Sequence, residues 1–214
     1  MKHGKLLSLV LLTAVSTAIS ASALAAPEAN MASKATETYE IDPVHSSIGF
    51  KVKHLFSWVQ GRFDTVEGAI TLDENNPEAS SVKVNIKAES INTANAKRDG
   101  HLKSADFFEV NKHPLLSFAS KSVKRTGETT ADVIGDLTMH GVTKEVPLKV
   151  EFLGKGPGMQ GETQAGFQAT TTLKRSDFGL TWGKMIEGTP LVGDEVQVNL
   201  EVVGIRKPQE TAKP

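Results

Sequence analysis

Between residues 38 and 206, apolar and polar side chains alternate with a period of two over most of the chain. Successive side chains on an extended strand point to opposite faces, so each such segment has one dry face and one wet face. Ile48, Phe50 and Val52 alternate with Gly49, Lys51 and Lys53. The same rhythm returns over 66–72, 82–88, 133–139, 146–152, 165–173 and 196–202. Turn signals separate these runs. Asp73-Glu74-Asn75-Asn76-Pro77 is a loop, and Thr126-Gly127-Glu128 joins a strand at 116–124 to one at 131–139. His140-Gly141 has the form of a two-residue hairpin turn, with glycine supplying a positive φ. The run Gly154-Lys155-Gly156-Pro157-Gly158 is expected to break the next pair. Short loops between successive strands make neighbours antiparallel.

One segment departs from the alternation. Residues 92–108 are rich in helix formers and poor in β-branched side chains, so one or two short helices are expected, with Asn92 or Thr93 as the cap. The chain is therefore all-β, of about eight strands with a short helical insert near 93–108. One-sided burial in that many strands suits a closed up-and-down barrel or a sandwich, and alternation alone leaves both open. An eight-stranded barrel has an interior that side chains fill or that holds one small ligand.

Both ends read differently from the body. Lys2 and Lys5, an apolar stretch from Leu6 to Ile19, and Ala23-Leu24-Ala25 form the pattern of a secretory signal peptide, expected over 1–25. Its apolar part is shorter than the ~20 residues that span a bilayer. Residues 26–37 are expected to be a flexible leader, 38–206 one β domain, and 207–214 a flexible tail. The pattern suits bacterial export, most simply to the periplasm. Cysteine is absent, which removes disulfides, thiolate metal sites and cysteine nucleophiles. The 24 basic and 25 acidic side chains nearly cancel, unlike the basic excess of nucleic-acid-binding chains.

Catalytic signatures are lacking. No glycine-rich phosphate loop, Gly-x-Ser-x-Gly elbow or His-Glu-x-x-His occurs. The histidines (His3, His45, His54, His101, His113 and His140) have no partner at a helical or strand ligand spacing. A histidine metal site would need distant residues to converge, and none is expected. The densest chemistry lies in Lys97-Arg98-Asp99-Gly100-His101-Leu102-Lys103-Ser104-Ala105-Asp106-Phe107-Phe108. Cationic and donor groups there stand beside two aromatic rings. At the rim of an apolar pocket, Arg98, His101 and Lys103 would meet an anionic or polar head group, arginine best because its fork matches phosphate oxygens. The bland alternative is that Arg98 and Asp99 pin the helical loop to the barrel.

This run, followed by His113-Pro114-Leu115-Leu116-Ser117-Phe118-Ala119-Ser120, resembles the motif region of the YceI-like, or polyisoprenoid-binding, family. Residues 39–55, 61–77, 135–148 and 196–204 are similar to the family in the same order, so the resemblance spans about 38–206. It implies a lipocalin-like antiparallel β-barrel enclosing a long apolar cavity for an isoprenoid or another long-chain amphiphile. It also implies export to the periplasm, a homodimer and a non-enzyme, with no catalytic set to carry over; no cofactor or metal is expected. Candidate cavity residues are then Phe50, Phe56, Trp58 and Phe63 on the early strands and Phe107 and Phe108 on the helical insert. Phe118, Leu137, Met139, Phe152 and Phe167 follow on later strands, with Trp182 in a variable-looking loop over 177–192. Phe56 and Trp58 stand where alternation weakens and suggest a loop at the barrel mouth. The leading expectation is a periplasmic lipid carrier. Its rivals are a packed interaction module docking a membrane partner, such as a b-type cytochrome, and a hydrolase built on converging His45, His54, His101 or His113.

Overall fold

The computed structural model describes residues 36–186 and 188–206, so the expected signal peptide, the leader as far as residue 35 and the tail lie outside the described residues. The chain forms β1 (Glu37–Ile41), β2 (Ser47–His54), β3 (Ser57–Phe63), β4 (Val66–Leu72), β5 (Ser81–Lys87) and β6 (Ile91–Asn92). Helix α1 (Ala96–Lys103) follows, then β7 (Leu115–Arg125), β8 (Thr130–Met139), β9 (Val142–Pro157) and β10 (Thr163–Lys174). A small hairpin of β11 (Met185–Ile186) and β12 (Thr189–Pro190) precedes the last strand, β13 (Val192–Arg206).

These segments make an eight-stranded, closed antiparallel barrel, because three of its staves are bent pairs. β1 pairs with β4 while β2 pairs with β3, so β1–β2 and β3–β4 are two long strands of one hairpin, each bent in the middle. β5 and β6 continue the third stave, against β4 and β3 respectively. β7, β8, β9, β10 and β13 follow in order, and β13 closes the ring against both β2 and β1. The barrel, one of the two architectures that alternation allows, is the one formed.

The first bend explains a polar cluster in the sequence. Asp42 accepts from the Val44 amide at 2.9 Å and lies 2.5 Å from His45 Nδ1, which holds its carboxyl below the usual range. The Asp42 amide donates to the Val203 carbonyl at 2.8 Å, and the Val203 amide donates to Ser46 Oγ at 3.0 Å. The bend thus stays hydrogen-bonded to β13 while the stave changes direction.

Turns follow local chemistry with two corrections. His140 and Gly141 have φ of 52° and 75°, the double positive φ of a tight hairpin turn whose twist matches the strands. The glycine-rich run does not break its strand: β9 continues to Pro157, and the turn falls at 158–162. Gly154, at φ 134°, faces a bulge between Gly166 and Phe167, so glycine here bends the ribbon instead of ending it. The helix is capped by Asn95, whose side chain accepts from the Arg98 amide at 3.0 Å, not by Asn92 or Thr93. Thr93 is occupied instead by Arg98 and Asp99.

The β9 extension carries Lys155 to the far side of one barrel end, where Nζ lies 3.1 Å from Glu37 and also meets Glu74. Arg206 approaches Glu37 at 3.2 Å, and the hydroxyl of the fully buried Tyr39 donates to Glu37 at 2.5 Å. Glu37 therefore sits at the β1–β13 seam with one hydroxyl and two cations facing it. The tyrosine hydrogen bond, with those cations, holds its carboxyl below the ordinary value. A depressed carboxylate contributes stability above its unfolded pKa and loses it as pH falls through the folded one. Glu37→Gln should lower the melting temperature at pH 7 by roughly 2–8 °C, the effect of losing ~1–2 kcal/mol. Thermal melts across pH should show this difference shrinking below about pH 4.5. A difference constant down to pH 2 would show that the charge does not hold the seam.

Candidate ligand cavity

Closure of the sheet leaves an internal cavity of about 1060 Å³. Parity determines its wall. Even positions of β2 (Ile48, Phe50, Val52, His54) and of the first half of β7 (Leu116, Phe118) face in, as do odd positions of β10 (Phe167, Ala169, Thr171, Leu173). A bulge between Ser120 and Ser122 flips the parity of β7, so Val123 and Arg125 line the far half. Along β13 the lining runs from Val192 to Val202. Ten residue steps of ~3.3 Å make roughly 33 Å along the strand, or about 25 Å along the axis for a tilt near 40°.

The wall is apolar through the middle and polar at the ends. At the end carrying the 73–80 loop it includes Asp73, Glu74, Arg125 and Glu128. At the opposite end it includes His54, Arg98, His101 and Arg175. This second end is where α1 and the 175–191 segment meet. His101 stacks edge-on against Trp182 at 4.9 Å and against Phe107 at 5.1 Å, while Phe107 and Trp182 are 5.1 Å apart. His101 Nε2 lies 2.8 Å from Asp106 Oδ2. Three rings from two segments thus make one wall.

Arg98 is partly committed to structure. Its Nε donates to Thr93 Oγ1 at 2.7 Å and its Nη2 to the Thr93 carbonyl at 2.8 Å. Asp99 accepts from the Thr93 amide and hydroxyl at 2.9 and 2.5 Å. The bland alternative, that these two residues pin the insert, is thus what their contacts do. Arg98 Nη1 has no hydrogen-bond partner among the described residues, so one edge of the guanidinium can still meet a ligand.

The structure places the other candidates plainly. Phe50, Phe63, Phe107, Phe108, Phe118, Leu137, Met139, Phe152, Phe167 and Trp182 line the cavity, with Arg98 and His101 at its end. Three do not. Trp58 is on the even, outward parity of β3, where Val59 and Phe63 point in. Its ring is half exposed and sits 5.4 Å below the Lys51 ammonium. Phe56 is in the two-residue β2–β3 turn after Leu55 at φ 50°, and is 98% exposed. Lys103 lies at the C-terminal end of α1, outside the lining.

Arg175 is the residue the sequence reading missed. Its Nε donates to Gly193 O at 2.9 Å, and its Nη1 donates to Leu180 O at 2.5 Å and Trp182 O at 2.7 Å. Its Nη2 also donates, at 3.4 Å, to Val192 O; a buried carbonyl without a donor is costly, and this one guanidinium serves four. It holds the 175–191 segment over the cavity end, with Phe178 and Leu180 buried beneath. That loop is therefore part of the core. The signal was available: Ala165, Phe167, Ala169, Thr171 and Leu173 set an inward parity whose next member is Arg175.

The histidines expected to stay apart do not all do so. His113 and His140 lie with ring centroids 4.8 Å apart, beside Glu109 and outside the cavity lining. His45 is on the β1–β2 bend, so the four histidines of the hydrolase reading do not gather around one cleft.

An antiparallel eight-stranded barrel around an elongated apolar cavity defines a lipocalin-like binding fold. Residues 39–204 match the model of the YceI-like domain, and the chain belongs to that family. It is 43% identical over 164 residues to a UPF0312 protein of Ectopseudomonas mendocina, covering 76% of this chain and 83% of the relative. A UPF0312 protein of Pseudomonas paraeruginosa is 45% identical over 172 residues, covering 79% and 87%. Among solved structures, a Campylobacter jejuni YceI protein is 34% identical with a TM-score of 0.64, covering 78% of this chain and 96% of that one. A polyisoprenoid binding domain from Saccharophagus degradans shares the fold at 18% identity and a TM-score of 0.56, covering 79% and 98%.

Arg175→Ala should leave the barrel folded and loosen its end. Hydrogen exchange should speed up by roughly 10–100-fold for amides in 180–193, as four carbonyls lose their donor. Amides paired between β8 and β9 should keep their protection. Equal loosening of both regions would show that Arg175 supports the whole barrel and not the end segment.

Proposed function

We propose that this protein is a non-catalytic carrier of an isoprenoid or another long-chain amphiphile. The cavity carries the reading: its volume reaches the upper end of the usual range for small-molecule sites, and its lining runs about 25 Å along the axis, apolar through the middle. Burying a chain there is worth roughly 0.8 kcal/mol per CH₂, or on the order of 3–4 kcal/mol per five-carbon unit before the costs of association. Loose discrimination among tails follows, because one methylene counts for little. The polar head is set at the end formed by α1 and the 175–191 segment, where Arg98, His101, Arg175 and His54 meet the cavity. The name of the Saccharophagus relative supports an isoprenoid, and the N-terminal sequence supports periplasmic residence.

The second reading, a module for a membrane partner, has one observation in its favour. Phe56, Met185 and Ile186 are exposed on the two segments joined by the Leu55 amide and the Leu191 carbonyl. Such a rim also suits a carrier that collects its ligand at a membrane. The homodimer implied by the family resemblance is part of the proposal and is read by the same mass measurement.

Native mass spectrometry of the mature protein, purified without detergent, should show an added mass that organic solvent releases. Ala169→Trp, which fills the cavity from β10, should cut retention of that mass at least tenfold. Trp58→Ala, outside the cavity, should leave it unchanged. A chain that stays empty after incubation with isoprenoids and fatty acids would overturn the carrier reading.

A further inference from the structure

Glu109, His113 and His140 form a second cluster that the cavity does not use. His140 lies 27 and 31 residues beyond the other two, yet one ligand atom from each lies within 4.8 Å of the others. Glu109, at φ 45°, and His113 bound one turn, closed by the His113 amide donating to the Glu109 carbonyl at 2.9 Å. The turn brings the two side chains together, His113 Nε2 within 3.8 Å of Glu109 Oε2. His140 arrives from the β8–β9 turn, held at its positive φ by the twist of the hairpin.

The imidazoles are seated in a built site. Gly141 makes room for His113, since a Cβ there would come within 2.7 Å of its Cε1. Gly179 stands against His140 in the same way, at 3.3 Å from Nδ1. His140 Nδ1 lies 3.2 Å from the Phe178 carbonyl and can donate to it, which leaves Nε2 with a lone pair. That Nε2 is buried and has no hydrogen-bond partner. His113 Nε2 and His140 Nε2 each stand 3.8 Å from Glu109 Oε2. This separation is too long for a hydrogen bond.

A metal ion resolves each of these features. We propose that Glu109, His113 and His140 bind one divalent transition-metal ion of the zinc class, with water completing its coordination. Two imidazoles and a carboxylate match three-ligand zinc sites, and they disfavour calcium and magnesium, which take oxygen. Ligand atoms on a tetrahedral zinc are about 3.3 Å apart for bonds near 2.0–2.1 Å. The two histidine–glutamate distances close by about half an ångström to meet that, and the two imidazoles, whose ligand atoms lie within 4.8 Å of each other, by at most about 1.5 Å. The Phe178 carbonyl on Nδ1 is the backbone acceptor that commonly orients a ligating histidine. Lys112 Nζ, 3.6 Å from the same Glu109 oxygen, is two-thirds exposed and free to swing into water as the ion takes its place. The bound ion ties the turn after α1 to the β8–β9 hairpin, immediately behind Phe108 and Met139 of the cavity wall. The proposal does not depend on what the cavity holds.

The untagged full chain, stripped with a chelator and dialysed, is titrated with Zn²⁺ by calorimetry and with Co²⁺ by visible absorption. One equivalent should bind, and Ca²⁺ should not compete. At about a hundredfold excess over Kd, Zn²⁺ should raise the melting temperature by roughly 5–10 °C. His113→Gln and His140→Asn should each weaken binding at least tenfold; asparagine is chosen because it tolerates the positive φ. His101→Ala should bind as the wild type does. Paramagnetic broadening by Co²⁺ in the wild-type chain, centred on residues 109, 113 and 140, locates the ion without any variant. Absence of binding at millimolar Zn²⁺, broadening centred elsewhere, or binding unchanged in both variants overturns the proposal.

Discussion

Strand β13 hydrogen-bonds three partners, and the rest of the barrel depends on it. One edge runs the full length of β10, while the other is shared by β2 and β1 with the Asp42–Ser46 bend between them. A sheet of this size that failed to close would expose two strand edges, the templates on which chains aggregate. Closure removes them and fixes the interior width. The short β1–β13 register, only Glu40–Ile205 and Ile41–Gly204, is the weakest length of the seam. Side chains compensate there: Tyr39, Lys155 and Arg206 converge on Glu37, and Gly204 lets the Tyr39 side chain lie against the strand, where a Cβ at 204 would come within 2.7 Å of the Tyr39 Cβ.

Given a closed barrel, the period-two pattern determines what faces in, and that was legible in the sequence. Ile48, Phe50 and Val52, or Phe167, Ala169 and Leu173, could be assigned to the wall because each run keeps its parity. Trp58 lies on a strand and outside the wall, because Val59, Gly61 and Phe63 set the odd parity of a segment whose weak alternation suggested a loop at the barrel mouth. Arg175 continues an inward parity, but as a charge among apolar neighbours it does not read as wall. Parity also changes silently at a bulge. Nothing near Ser120 announces that β7 shifts its inward set, because a bulge is a property of the pair and not of one strand.

Convergence over long sequence distance was not legible. His113 and His140 meet because β8 ends in a tight turn level with the loop that follows α1, and that level is set by the whole β5–β7–β8–β9 register. Spacing rules for metal ligands work within one helix or strand and cannot see this. The insert shows the same limit. Its helical character was readable, yet its cap moved to Asn95 once Asp99 took the Thr93 amide and hydroxyl.

The two ends of the cavity differ in charge, and this gives the barrel a direction. One end gathers Asp73, Glu74 and Glu128 with Arg125, close to the ion pairs around Glu37 and Lys155. The other gathers Arg98, Arg175, His54 and His101, with the Asp106 carboxylate engaged by His101. An anionic head group is favoured at the second end and repelled by the carboxylates at the first. In the proposed carrier, the tail of such a ligand points toward Phe118 and Phe152 in the middle of the barrel. The second end is also the one carried by the least regular part of the chain. There Arg175 holds backbone carbonyls in place of a strand ladder, and Trp182 packs on α1 through side chains alone. Segments held this way open at lower free energy than strands in a closed sheet. Opening at that end therefore requires no rupture of the ring of backbone hydrogen bonds that keeps the cavity in existence.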